Sequence, residues 1–251
     1  MVFGHVAAIA LAAVVGLSLG ALGSGGSIIT TPLLVYVARV PPVTAVGMSL
    51  VIVGATSFVG AFLHLRRGNL AVKPVVFFSL TGMAGSFLGS SGTHLLPKRL
   101  LMLLFSGIML IVGLMMWRGV TALRRAKSCS VHQCLLAGFV VGLLTGFLGV
   151  GGGFLIVPAL VLFAGLDTRM AAGTSLGVIA FNCATGLLGQ LRFVQIDWGL
   201  LWGFLVSTLV GMVLGATVSG RLPEYWLRRT FAITILVLAV ALGLENLFNV
   251  Q

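Results

Sequence analysis

The residues best suited to chemistry in this sequence are glycines. Two clusters stand out, Gly20-x-x-Gly23-x-Gly25-Gly26-Ser27 and Gly146-x-x-Gly149-x-Gly151-Gly152-Gly153, each inside an apolar run and each followed by a proline, Pro32 and Pro158. Contiguous glycines break a helix. At membrane depth a broken helix is tolerated only where it faces protein or a wet cavity. The helix that restarts presents free backbone N–H groups and the positive end of its dipole, which suits an anion. Gly25, Gly26 and Ser27, with Gly151, Gly152 and Gly153, are therefore candidate substrate-binding residues, and the two breaks would converge near the midplane if the repeats are inverted. The competing reading is that glycines only let helices approach closely. It fits Gly16/Gly20 and Gly142/Gly146 well and the contiguous glycines less well. A nucleotide site would need strand–turn–helix surroundings that are not present.

Polar residues within apolar helices form the second signal. Ser49, Thr56 and Ser57 lie on one predicted helix, and Thr174, Ser175, Asn182 and Cys183 on another. Ser49 to Thr56 and Ser175 to Asn182 both span two helical turns, so each pair shares a face. Ser49, Thr174, Ser175 and Asn182 are read as anion-orienting groups. Interhelical hydrogen bonding is the alternative and is strongest for the serines and threonines. Arg66 and Arg192 end the same two helices, in His64-x-Arg66 and Gln190-x-Arg192. They would steer an anion inward, or else anchor the helix ends at the headgroups.

The remaining polar residues limit the chemistry. Asp167, Asp197, Glu224 and Glu245 all fall at segment ends, so a buried-acid proton relay is not evident. His5, His64, His94 and His132 could couple protons but read as interfacial. No metal-ligand spacing occurs, so neither a metal nor a cofactor is expected. The nearest thing to an enzymatic constellation is Gly89-Ser90-Ser91-Gly92 with His94, at a segment end before Pro97. Cys129, Cys134 and Cys183 form no C-x-x-C pair, which argues against membrane redox chemistry.

The elements that must position these residues are dictated by composition. Of 251 residues, 59% are hydrophobic and 8% charged, and the mean hydropathy is +1.19. A water-soluble globule needs far more polar surface than this, so lipid must be the main solvent. The net charge of +11 sits in short gaps between apolar runs, as in Arg66-Arg67, Lys98-Arg99, Arg124-Arg125 and Arg228-Arg229. That is the placement of topology-setting cations and not of a nucleic-acid surface. The MVFGH start lacks a basic n-region and does not read as a cleaved signal peptide.

A fixed offset of 126 positions organises the whole chain. Gly16, Gly20, Gly23, Gly25, Gly26 and Pro32 match Gly142, Gly146, Gly149, Gly151, Gly152 and Pro158. Further on, Ala45, Gly47, Ser49 and Leu50 match Ala171, Gly173, Ser175 and Leu176, while Gly60, Arg66, Gly85 and Pro97 match Gly186, Arg192, Gly211 and Pro223. Residues 1–117 and 131–251 are thus read as two copies of one membrane unit, joined by a basic cytoplasmic linker, 118–130. Paired repeats are the usual construction of secondary transporters.

Eight long helices are predicted, over 3–22, 44–65, 72–92 and 99–117, then 132–149, 170–191, 198–218 and 227–247. Two short apolar pieces, 27–38 and 153–165, are brief for a bilayer crossing. Counted as crossings, they put eleven basic residues on one side, from Arg66, Arg67 and Lys73 through Arg118, Arg124, Arg125, Lys127 and Arg169 to Arg221, Arg228 and Arg229. The other side keeps four, Arg39, Lys98, Arg99 and Arg192. Counted as re-entrant, they divide the cations 8 to 7. Only the first split resembles the positive-inside rule, and its odd number of crossings per half makes the repeats inverted.

Together the motifs resemble the sulfite exporter TauE/SafE family of membrane permeases, over nearly the whole chain. The likeness rests on the duplicated glycine turn with its proline, the Ala-x-Gly-x-Ser-Leu starts at Ala45–Leu50 and Ala171–Leu176, and the His64-Leu65-Arg66-Arg67-Gly68-Asn69 end. The resemblance implies transport of small sulfur-containing or organic anions, such as sulfite or sulfonates, across a bacterial-type plasma membrane, often outward. Ser24 and Ser27 stand where the second copy has Val150 and Gly153, and Val194 matches Gly68, so the two half-sites are unequal. An anion channel is the first alternative and an intramembrane enzyme the second.

Overall fold

The computed structural model describes residues 2–23, 29–31, 33–92, 98–118, 131–148, 153–190, 197–221 and 223–248. Every regular element among them is helical: α1 (Val2–Leu22), a short π-helical piece α2 (Leu33–Val37), α3 (Pro42–Arg66), α4 (Val72–Gly92), α5 (Lys98–Trp117), α6 (Val131–Leu148), α7 (Gly153–Phe163), α8 (Thr168–Gln190), α9 (Trp198–Arg221) and α10 (Glu224–Phe248). A helix satisfies its own backbone, which is what an apolar run needs where water is absent. Thr44–Arg66, Thr168–Leu187 and Trp198–Gly220 are long and apolar enough to cross a membrane, and Ala10–Leu22 and Val72–Leu88 are shorter apolar helical stretches. Val14, Phe58, Leu80, Trp202, Val206 and Val210 point outward and are exposed, which suits lipid contact.

Helix ends follow local chemistry. Pro42 opens α3, where its missing N–H costs nothing. Gly68, at φ 71°, closes it, and the Asn69 N–H bonds the His64 carbonyl at 2.8 Å. Asp167 caps α8 by accepting the Met170 N–H at 3.1 Å, and Asp197 caps α9 by accepting the Gly199 N–H at 3.0 Å. Both carboxylates thus stand at helix starts. As the glycine clusters require, α1 ends at Leu22, α6 ends at Leu148 and α7 restarts at Gly153.

Two cores hold the bundle. One joins Ala12 and Leu19 of α1, Leu34 of α2, Met48 and Ile52 of α3, and Leu201 and Phe204 of α9. The other joins Val141 of α6, Ile156 and Leu160 of α7, Val178 and Ile179 of α8, and Val75 and Phe78 of α4, with Met109 of α5 and Ile235 of α10 against them. The first core therefore takes α9 from the second half of the chain and the second core takes α4 and α5 from the first, while Leu176 of α8 and Val53 of α3 each reach into the opposite core.

Glycines set the closest approaches, as small residues do between membrane helices. A Cβ on Gly211 of α9 would strike the Ala13 carbonyl and the Leu17 nitrogen of α1; a Cβ on Gly85 of α4 would strike the Phe139 carbonyl and the Leu143 nitrogen of α6. These two contacts are the same contact displaced by 126 positions. Gly16 against Thr208 and Gly142 against Gly82 repeat the relationship.

The contacts also fix helix directions. α1 runs parallel to α9, since Gly211 meets Ala13 and Gly215 meets Ala21. α3 is parallel to α9 as well, with Gly60 at Met212 and Arg67 at Ala216. Hence α1 and α3 point the same way, and residues 23–41 carry the chain back from one end of the bundle to the other. Equivalent contacts, Gly138 to Phe78 and Gly142 to Gly82, make α6 parallel to α4, and Thr174 to Ala71 and Gly177 to Val75 make α8 parallel to α4. Residues 149–167, including α7, therefore make the same return. α3 and α8 themselves are antiparallel, with Gly54 at Cys183, Gly60 at Leu176 and Gly173 at His64.

Candidate functional site

The described polar candidates on α3 and α8 lie along the length over which these two helices cross, at separate levels. Ser175 is fully buried, and its hydroxyl proton is shared between the Ala172 carbonyl at 2.8 Å and the Gly23 carbonyl at 3.2 Å. Gly23, at φ 81°, is the first residue past α1. Ser175 thus holds the start of the first glycine break against α8. Ser49, at the matching position of α3, donates to the Val46 carbonyl at 2.8 Å and accepts from the Thr31 hydroxyl at 3.0 Å. Thr174 accepts the Ala71 N–H at 3.0 Å and so secures the start of α4.

Asn182 lies near the level at which α3 and α8 cross, beside Cys183, which faces Gly54. Its Oδ1 is buried and without a hydrogen-bond partner. It borders a cavity of about 10 Å³ between α4, α6, α7 and α8, lined by Phe78, Gly82, Gly138, Val141, Gly142 and Ile156. That volume is at the lower limit for one water molecule and too small for an oxyanion. On α3, Thr56 donates to the Ile52 carbonyl at 2.6 Å, and the buried Ser57 hydroxyl has no partner.

The structure does not bring the two serines together. Leu50, next to Ser49, packs at Gly186, eleven residues beyond Ser175. At 1.5 Å per residue Ser49 and Ser175 stand roughly 17 Å apart along the helices. They lie on opposite sides of the Asn182 level. Of the arginines, Arg66 is exposed, its guanidinium 4.5 Å above the Phe62 ring. Its neighbour Arg67 instead reaches across to α9 and donates to the Ala216 carbonyl at 2.6 Å. Gly153 is the first residue of α7. Gly25, Gly26, Ser27, Gly151, Gly152 and Arg192 lie outside the described residues.

His64 is enclosed by protein. It sits at the end of α3, yet it is only 2% exposed, and neither ring nitrogen has a hydrogen-bond partner. Leaving a buried polar group unpaired costs about 1–3 kcal/mol. The available signal was spacing: His64 follows Ser57 by seven residues, on the same face of α3. A larger groove of about 580 Å³ opens between α3 and α8, lined by Gly54, Ala55, Phe58, Ala180, Phe181 and Cys183. Its walls offer an anion no hydrogen bonds. Among the described residues, no group of three His, Cys, Asp or Glu could hold a metal.

Comparison with known proteins gives the family of this chain. The family model described as Sulfite exporter TauE/SafE matches residues 8–242. A probable membrane transporter protein of Xylella fastidiosa is 36% identical over 237 residues, covering 90% of each chain. The probable membrane transporter protein YdhB of Bacillus subtilis is 28% identical over 225 residues, covering 87% of this chain and 92% of its own. No solved structure matches.

Proposed function

The chain belongs to the sulfite exporter TauE/SafE family of membrane transporters, and from that premise we propose that it carries small sulfur-containing or organic anions, such as sulfite or sulfonates, outward across a plasma membrane by alternating access. The family and the relatives' names describe membrane transport and not enzymatic catalysis. The observation that carries the mechanism is the packing of α3 on α8. The two helices are antiparallel, they occupy matching positions at an offset of 126 residues, and each lays a glycine on the other's leucine. Helices that match in sequence and point in opposite directions support two inverted copies. The parallel directions of α1 and α3 support ten crossings, with α2 and α7 inside the short ones.

On this reading, the Ser175–Gly23 region and the Ser49–Thr31 region serve opposite faces of the membrane, and Asn182 stands between them. The moving bodies are the two cores, the first with α9 and the second with α4 and α5, because α1–α9 and α4–α6 interlock too closely to slide. Motion falls to the α3–α8 seam. Arg66 draws anions to one mouth, and Arg192 to the other. The test is radiolabelled sulfite and sulfonate flux in proteoliposomes. Saturable flux supports a carrier; non-saturating, conductive flux would favour a channel; flux of neither anion would remove this substrate class.

A further inference from the structure

We propose that His64 binds a proton together with the transported anion, and so couples anion movement to the proton gradient at the Ser175 half-site. This inference rests on the anion-transport reading above and names the residue that would do the coupling.

Three helices meet at the ring. On α8, Gly173 leaves space for it: a Cβ there would lie 2.8 Å from the His64 Cβ and 3.0 Å from its Cγ. Two residues further along α8, Ser175 holds Gly23. From α1, the Gly20 carbonyl faces the ring, yet neither ring nitrogen completes a hydrogen bond. A buried histidine kept for structure is normally hydrogen-bonded. Here the imidazole has the Gly20 carbonyl nearby but no partner at hydrogen-bond geometry, and it lies beside α1 close to Gly23, where α1 ends.

The surrounding charges supply the coupling. Arg67 in the α3–α4 turn and Arg169 on the first turn of α8 are the charged groups that bear on the ring. Arg67 is tied to the Ala216 carbonyl on α9. A proton on His64 is opposed by both guanidinium charges. An anion entering among them offsets that repulsion, and the protonated ring in turn gives the anion a donor. Each ligand strengthens the binding of the other, by the same factor in both directions. The step is a plain protonation: one proton joins a ring nitrogen with the anion and leaves with it.

The experiment uses the full-length protein in proteoliposomes loaded with a pH-sensitive dye, and methanesulfonate as probe, because sulfite itself titrates near neutral pH. Wild-type flux at limiting methanesulfonate should fall several-fold as the pH is raised from 5.5 to 8, with proton movement in step, because fewer protons are then available to bind with the anion. His64→Gln should lose the proton movement and show the wild type's alkaline flux at every pH. Should the variant fail to fold, wild-type protein in weakly buffered detergent should still take up a proton when methanesulfonate is added near pH 7. Wild-type flux without proton movement, or a His64→Gln variant with wild-type proton coupling, would overturn the role of His64 and leave the transport reading intact. Flux of neither methanesulfonate nor sulfite by the wild type would overturn both.

Discussion

Leu176 on α8 lies against Gly60 on α3, its Cδ1 3.0 Å from where a Cβ on Gly60 would be. Exchanging the halves gives Leu50 against Gly186, which is also present, at 3.5 Å. A leucine filling the hollow above a glycine, twice and in opposite directions, makes the α3–α8 seam close to its own mirror in sequence. Such a seam tolerates sliding either way at similar energy, which a carrier facing two sides in turn requires.

The seam can be trapped. With Cys129 and Cys134 replaced by serine, a Gly54→Cys variant places its new Cβ 2.9 Å from the Cβ of native Cys183. A disulfide needs about 3.5–4.5 Å between those atoms, so a small adjustment permits one. Oxidation should hold the halves together on a non-reducing gel after cleavage in the 118–130 linker, and should arrest transport until reduced. Separate halves under oxidising conditions would refute the antiparallel register.

Topology is accessible to labelling. With ten crossings, a cysteine at Asp167 and the native Cys129 react with a membrane-impermeant maleimide from the same side. With eight crossings they react from opposite sides. Asp167 caps α8, so Leu166→Cys, beside it and partly exposed, serves as a second site with the same expectation.

Close helix contacts should be intolerant in a predictable order. Gly142→Ala puts a methyl into the backbone of Gly82, and Gly16→Ala into that of Thr208, whereas Gly107 has nothing within 4 Å. Overpacking against backbone costs about 1–3 kcal/mol or more. The first two variants should lose several degrees or more of melting temperature in detergent, and Gly107→Ala should match the parent.

Removing the Ser175 hydroxyl tests whether the first break is held by α8. Ser175→Ala gives up the bonds to Gly23 and Ala172, a loss of about 1 kcal/mol. Anion KM should rise severalfold with a small change in melting temperature. An unchanged KM would show that the break does not face the substrate.

The two adjacent arginines should separate by salt. Arg66 is exposed, so Arg66→Gln should slow anion uptake at low ionic strength, and the difference should vanish near 0.5 M salt, where charges are screened within about 4 Å. Arg67→Gln loses a bond to the Ala216 carbonyl and should reduce stability at every salt concentration.

By itself the sequence determined the solvent, the element type and the punctuation. Apolar runs with so few charges demand helices in lipid, and α1 ends at Leu22 where Gly23 takes a left-handed φ of 81° that other residues rarely adopt. The fixed 126-residue offset was legible for the same reason: glycine and proline positions are set by backbone geometry, which leaves a local mark. Tertiary structure decided the rest. That α4 and α9 pack on helices of the other half, that Ser49 and Ser175 end on opposite sides of Asn182, and that His64 is buried among neighbouring helices depend on which helix face meets which. In a lipid-facing chain that choice leaves little hydrophobic pattern, because lipid tails and protein interior are about equally apolar. Close-fitting surfaces make it, as where the backbone of Gly85 meets Phe139 and that of Gly211 meets Ala13, and those exist only once the helices are side by side.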